Sequence, residues 1–226
     1  MHESYELGDL ILRRLGRELR ISSDEFAALK AAQEKNPFKV LIATILSQNT
    51  TEKNTFRALQ RLEEEVGVSP LTLSKVDVEE LARVISPAGL QQQKAEAIVS
   101  LSKLLVENYG GSLERMLQKG EEEVREELSK IKGIGDKTID VLLANTGFPV
   151  VPVDTHVKRV ARRLGLTRSN AYSRIKIDLH KVFRPERRLE AHLLLIKLGR
   201  EICKARNPRC EVCPLRDICE YAKAKR

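Results

Sequence analysis

No cysteine occurs before position 203, and no apolar run is long enough to span a bilayer. The opening stretch, MHESYELGDLILRRLGRELR, is too charged for a signal peptide. No segment shows the two-residue alternation of a strand. These absences exclude a chain anchored by membrane helices, a secreted domain stapled by disulfides and a sheet-based fold. They place the protein in the cytoplasm, with no membrane partner.

What is present is helical. Apolar residues recur at Leu7, Leu10, Ile11, Leu15 and Leu19, so Tyr5–Leu19 reads as one amphipathic helix. Phe38–Leu46 is apolar nearly all round and predicts a buried central helix, with Asn36 as N-cap and Pro37 in its first turn. Further helices are predicted at 54–66, 78–85 (capped by Asp77), 92–108 (stopped by Gly110 and Gly111), 121–130, 137–145, 155–164 and 189–203. The expected architecture is all-α in two helical domains. Residues 30–149 would form a barrel-like bundle, and residues 1–29 would join 150–226, with Pro149 and Pro152 at the crossing.

The net charge is +8 and the hydrophobic fraction 42%, enough for real cores under a basic surface. Between Lys158 and Arg188 eleven Lys/Arg face two acids, whereas Glu114–Glu127 holds six acids and three bases. Such asymmetry suits one face for a polyanion and another for water. An evenly charged, thermophile-like surface is the plainer alternative.

Three constellations carry chemistry. Cys203, Cys210, Cys213 and Cys219 form C-x6-C-x2-C-x5-C, and four thiolates hold either a tetrahedral zinc or an iron–sulfur cluster. The segment SKIKGIGDKTI lies between two helical stretches. It has no preceding strand and no third glycine, which excludes a dinucleotide fingerprint. Gly133 and Gly135 would instead let the backbone approach a phosphate, with the N–H groups of the next helix aimed at it; an ordinary tight turn is the bland reading. Lys137 follows in the first turn of that helix, where the dipole works against an ammonium and favours an amine nucleophile; a phosphate-binding or solvent lysine is the plainer reading. Asp154 precedes a helix as an N-cap, a fixed carboxylate able to support a cationic sugar or accept a proton; a purely structural cap is the plainer reading.

The joint order of ILSQNTT (45–51), GLQQQKA (89–95), IKGIG-DKT, VDTHVKRV (153–160) and the cysteine loop resembles the endonuclease III family of DNA glycosylases, of the helix-hairpin-helix superfamily. The resemblance spans about Phe38 to Tyr221. It implies two helical domains flanking a DNA-binding cleft and a [4Fe–4S] cluster on Cys203, Cys210, Cys213 and Cys219. It implies a bifunctional glycosylase and abasic-site lyase acting on damaged, by family default oxidised, pyrimidines in duplex DNA. Lys137 would be the Schiff-base nucleophile and Asp154 its carboxylate partner. A monofunctional mismatch or uracil glycosylase would not need this lysine, and a non-catalytic iron–sulfur DNA-binding module would need neither residue.

Where relatives commonly carry glutamine to fill the gap left by the flipped base, this chain has Asn49, with Gln48 one position early. The second wedge falls at Leu90, and Gln91 replaces the usual tyrosine. Lys204, Arg206 and Arg209 are the loop's candidates for DNA contact. The implied form is a monomer associated with the nucleoid. The short segment after the cysteines leaves no room for the domain with which adenine glycosylases read 8-oxoguanine.

Overall fold

The computed structural model describes residues 2–224, and every regular element among them is helical. Two compact units result, one from Ser22–Phe148 and the other from Met1–Ile21 with Pro149–Arg226. The first of these begins at Ser22 rather than near Lys30, because the short helix at 27–33 packs on the central apolar helix.

Helix α1 (His2–Glu18) opens the chain. The unit Ser22–Phe148 then runs through α2 (Ala27–Gln33), α3 (Pro37–Leu46), α4 (Glu52–Glu65), α5 (Pro70–Leu73) and α6 (Val78–Val84). It continues with α7 (Gln91–Tyr109), α8 (Leu113–Leu117), α9 (Glu121–Ser129) and α10 (Asp136–Asn145). Helix α3 is its axis. The Asn36 side chain accepts the Lys39 N–H at 2.9 Å, Pro37 occupies the first turn, and every residue from Val40 to Leu46 is buried. Each fully buried leucine or isoleucine there contributes roughly 1.5–3 kcal/mol relative to exposure. Helices α2, α4, α7 and α10 pack around it.

The other unit combines α1 with α11 (Thr155–Leu164), α12 (Tyr172–Val182), α13 (Arg188–Glu201) and α14 (Glu220–Lys223). Helix α1 buries Ile11, Leu12 and Leu15 and packs on α12 and α13. Helix α11 crosses α13 with Val157, Val160, Ala161 and Leu164 inward, which leaves Arg162 and Arg163 for the other side. The predicted helices lie within a few residues of their observed limits. Helices α2, α5 and α8 were not expected, being only 7, 4 and 5 residues long and too short to show a period. Helix α12 was missed for another reason: only Ile175 and Leu179 of it are buried, so its stripe is two residues wide in a basic segment.

Candidate nucleic-acid interface and metal centre

The turn between α9 and α10 is built by two isoleucines. Ile131 and Ile134 are 7% and 4% exposed, and the Ile134 N–H donates to the Ile131 carbonyl at 3.0 Å. Anchored this way, Lys132, Gly133 and Gly135 are turned out. Gly133 has φ +96, a left-handed conformation that L side chains rarely adopt, and a Cβ there would sit 3.3 Å from the Ala97 Cβ. Gly135 needs no such freedom, since its φ is −108. Its value is space, because a Cβ on it would meet nothing within 4 Å. At the start of α10 the Thr138 and Ile139 N–H groups donate to the Gly135 carbonyl, which leaves those of Asp136 and Lys137 ready for an anion. The two helices are also tied together: the Arg125 guanidinium, itself bonded to Glu121, pairs with the fully buried Asp140 of α10.

Lys137 lies in the first turn of α10 and is exposed, with no ion pair among the described residues. Next to it, Thr138 is buried and takes part in a tie to α3. The Gln48 amide nitrogen donates to the Gly133 carbonyl at 3.0 Å and to the Thr138 hydroxyl at 3.0 Å. Gln48 thus braces the hairpin, while its neighbour Asn49 is exposed with a left-handed backbone (φ +53). Asparagine tolerates that conformation well. Leu90 is a less natural occupant: it is the N-cap of α7, has φ +47 and is 50% exposed. A large apolar side chain held outward on strained backbone suggests a functional demand.

A second brace went unnoticed in the sequence. Lys94, in the first turn of α7, is only 2% exposed, and its Nζ donates to the Leu46 carbonyl at 2.8 Å and the Ala88 carbonyl at 2.9 Å. Burial lowers its pKa to about 8. The one signal available was a lysine in register with the buried residues Ile98 and Leu101. Despite the free amine that burial favours, its enclosure keeps Lys94 from serving as a nucleophile.

In the other unit, Asp154 caps α11, its Oδ1 accepting the Val157 N–H at 2.7 Å. The segment Val150–Val153 before it is buried and is held by the bond from the Val151 N–H to the His180 Nε2 at 3.1 Å. Two residues on, burial pulls the His156 pKa down, while the Asp154 charge acts in the opposite direction.

Cys203, Cys210, Cys213 and Cys219 all line one cavity between α11, the end of α13 and the C-terminal loop. Their thiols are unpaired. Burial pushes the Cys213 and Cys219 thiols up, and the neighbouring sulfurs add to this, so the thiolate forms of these two require positive charge in the cavity. Yet no three His, Cys, Asp or Glu side chains among the described residues are grouped to hold a single metal ion. Four free thiols lining one cavity are the donor set that an iron–sulfur cluster takes.

The loop is fastened from outside. The Arg163 guanidinium donates to the Cys203 Sγ at 3.3 Å and to the Lys204 and Ala205 carbonyls at 2.7 and 3.0 Å. The Cys219 thiol donates to the Arg163 carbonyl at 3.2 Å. Lys204 and Arg206 are exposed. Arg209 is exposed as well, but its guanidinium is already committed to the Glu201 carbonyl at 2.8 Å.

A model of the HhH-GPD superfamily of base excision DNA repair proteins matches residues 42–185, and one of the iron-sulfur binding domain of endonuclease III matches residues 203–219. The chain is 38% identical to the endonuclease III of Thermotoga maritima over 195 residues, 85% of this chain and 87% of that one. A solved non-covalent endonuclease III–DNA complex is similar with a TM-score of 0.80 at 30% identity, covering 98% of this chain and 97% of that one. A trapped endonuclease III–DNA covalent intermediate, an estranged-adenine complex, has a TM-score of 0.73 at 32% identity, with coverage of 88% and 95%.

Proposed function

The chain belongs to the endonuclease III family of helix-hairpin-helix base excision DNA repair proteins, and from this premise we propose that Lys137 and Asp154 carry its glycosylase and lyase chemistry. The substrate is duplex DNA with a damaged pyrimidine, by family default an oxidised one, or with an abasic site. The protein acts as a monomer. No helix is long and apolar enough to cross a membrane.

A base stacked in a duplex is out of reach, so the nucleotide is first turned out of the helix. Asn49 and Leu90 enter the space it leaves, one offering hydrogen bonds to the orphaned partner base and the other an apolar wedge. The Gly133–Gly135 turn and the first N–H groups of α10 hold a backbone phosphate, a contact that fixes register without reading sequence. The Lys137 amine attacks C1′ and the damaged base leaves with the electron pair of the glycosidic bond. The Asp154 carboxylate supports the positive charge that develops on the sugar and relays the protons released. The sugar ring then opens, the C1′–O4′ bond breaking with its electron pair going to O4′, which takes up a proton, and the Schiff base so formed between Lys137 and C1′ acidifies the C2′ proton. Its removal expels the 3′ phosphate and cuts the strand. Bound at the four cysteines, a [4Fe–4S] cluster supplies a covalent staple for the loop that carries Lys204, Arg206 and Arg209.

The observation that supports this reading most is the exposed Lys137 amine, in the first turn of the helix that follows an outward-facing Gly-x-Gly turn. A glycosylase that only activates water has no use for an amine there. Borohydride reduction during reaction with a thymine glycol duplex should give a covalent protein–DNA adduct. Lys137→Gln should abolish it, with base release reduced by at least 10³-fold, about the scale on which loss of a nucleophile acts. Base release by the native protein with no adduct would overturn the lyase reading and leave a monofunctional enzyme.

A further inference from the structure

The Lys94 ammonium lies between the two turns that carry the gap-filling residues. Leu46, its first acceptor, is the last residue of α3, and the chain continues directly into Gln48 and Asn49. Ala88, its second acceptor, closes the 3-10 turn that leads through Gly89 to Leu90. Neither carbonyl accepts a backbone N–H among the described residues, since the donors just beyond them turn to other acceptors: Gln48 to Ile45 and Gly89 to Ser86. One side chain therefore satisfies both and joins them. The cost of burying a charge makes this an expensive way to fill space that methionine would fill unaided. The geometry also returns to the same element, because the Lys94 N–H closes the first turn of α7 on the Leu90 carbonyl at 3.1 Å.

The geometry points to Lys94 as a positioning residue that fixes the Asn49 turn relative to the Leu90 turn and so sets the gauge of the gap-filling pair. This rests on the roles given above to Asn49 and Leu90. Lys94 itself, 2% exposed, does not meet DNA. Its effect falls on the opening of the duplex and leaves the amine chemistry of Lys137 alone. Gln48 performs the complementary task, tying the same end of α3 to the hairpin.

The two steps separate in the assay. Single-turnover base release from a thymine glycol duplex requires a gap to be filled. Borohydride trapping on a single-stranded oligonucleotide with an abasic site does not. Lys94→Met should lower duplex excision at least tenfold and leave single-strand trapping within twofold of native. Asn49→Ala should cost the native protein duplex excision but add little in the Lys94→Met background, because the two act through one placement. Leu101→Ala, a buried α7 substitution of comparable thermal cost, is the control and should keep duplex excision within about threefold. Should Lys94→Met fail to fold, Lys94→Gln, whose amide can still reach one carbonyl, is judged by the same ratio. Equal losses in the two assays, or a Leu101→Ala protein as impaired on duplex DNA as the Lys94 variant, would overturn the positioning role. A native protein that neither releases base nor forms an adduct would instead overturn the catalytic reading of Lys137.

Discussion

Two lysines within this unit show how one side-chain type serves opposite ends. Lys137 is exposed in the first turn of α10, whereas Lys94 is enclosed in the first turn of α7. Only an exposed amine can reach a sugar carbon, and only an enclosed one can hold two carbonyls in fixed relation. The enclosure leaves a thermodynamic mark. Burial lowers the Lys94 pKa from 10.5 to about 8. Between those values the unfolded chain keeps the proton that the native protein has released. Stability attributable to Lys94 therefore rises with pH across that window and is flat below it. Urea unfolding of native protein and of Lys94→Met should diverge in favour of the native protein by on the order of 2 kcal/mol between about pH 8 and pH 10. A constant difference across that range would show that the ammonium is not buried as described.

At the level of elements, the two glycines of the hairpin differ in what their backbone and surroundings require. Gly133 needs its left-handed backbone and has the Ala97 Cβ beside it, so Gly133→Ala should lose about 1–2 kcal/mol of stability. Gly135 has an ordinary φ and open space, so Gly135→Ala should leave the melting temperature almost unchanged. The added methyl would instead stand where a phosphate has to approach, and DNA affinity should fall severalfold at constant stability. If Gly135→Ala bound DNA normally while remaining folded, the hairpin would be a plain αα turn. The hairpin was legible in the sequence because its parts are adjacent: two isoleucines, two glycines and a lysine in one short run. The same holds for Asn36, Asp77 and Asp154, whose caps lie next to the helices they start. The braces were not legible. Gln48 reaches Thr138 and Lys94 reaches Leu46 across long stretches of chain, and no local pattern announces either pairing. Gln48 is a candidate for DNA contact as a glutamine one position before the gap-filling place; its amide donates instead to the Gly133 carbonyl and the Thr138 hydroxyl of the hairpin.

For the whole molecule the governing quantity is charge. A net charge of +8 on 226 residues favours a polyanion in general, but total charge says nothing about which residues touch it. Many of the basic side chains are spent inside the protein: Arg163 and Arg159 hold the carbonyls of the cysteine loop, Arg188 holds that of His180, and Arg184 pairs with Asp9. Lys204 and Arg206 are exposed, with no side-chain partner among the described residues, so we propose them as phosphate ligands. Each phosphate neutralised steepens the salt dependence of binding by about 0.9 in log–log slope. Non-specific duplex binding by the native protein should thus weaken by about 10²- to 10³-fold between about 50 and 200 mM salt if some five phosphates are held. Lys204→Ala with Arg206→Ala should reduce the slope by about 2 and lower affinity alike on damaged and undamaged duplex, with iron content unchanged. Arg209→Ala should change the slope little, because that guanidinium already serves the Glu201 carbonyl, and should act on loop stability instead. A slope unaltered by the double substitution would remove the cysteine loop from the DNA contact surface and confine its role to the fold.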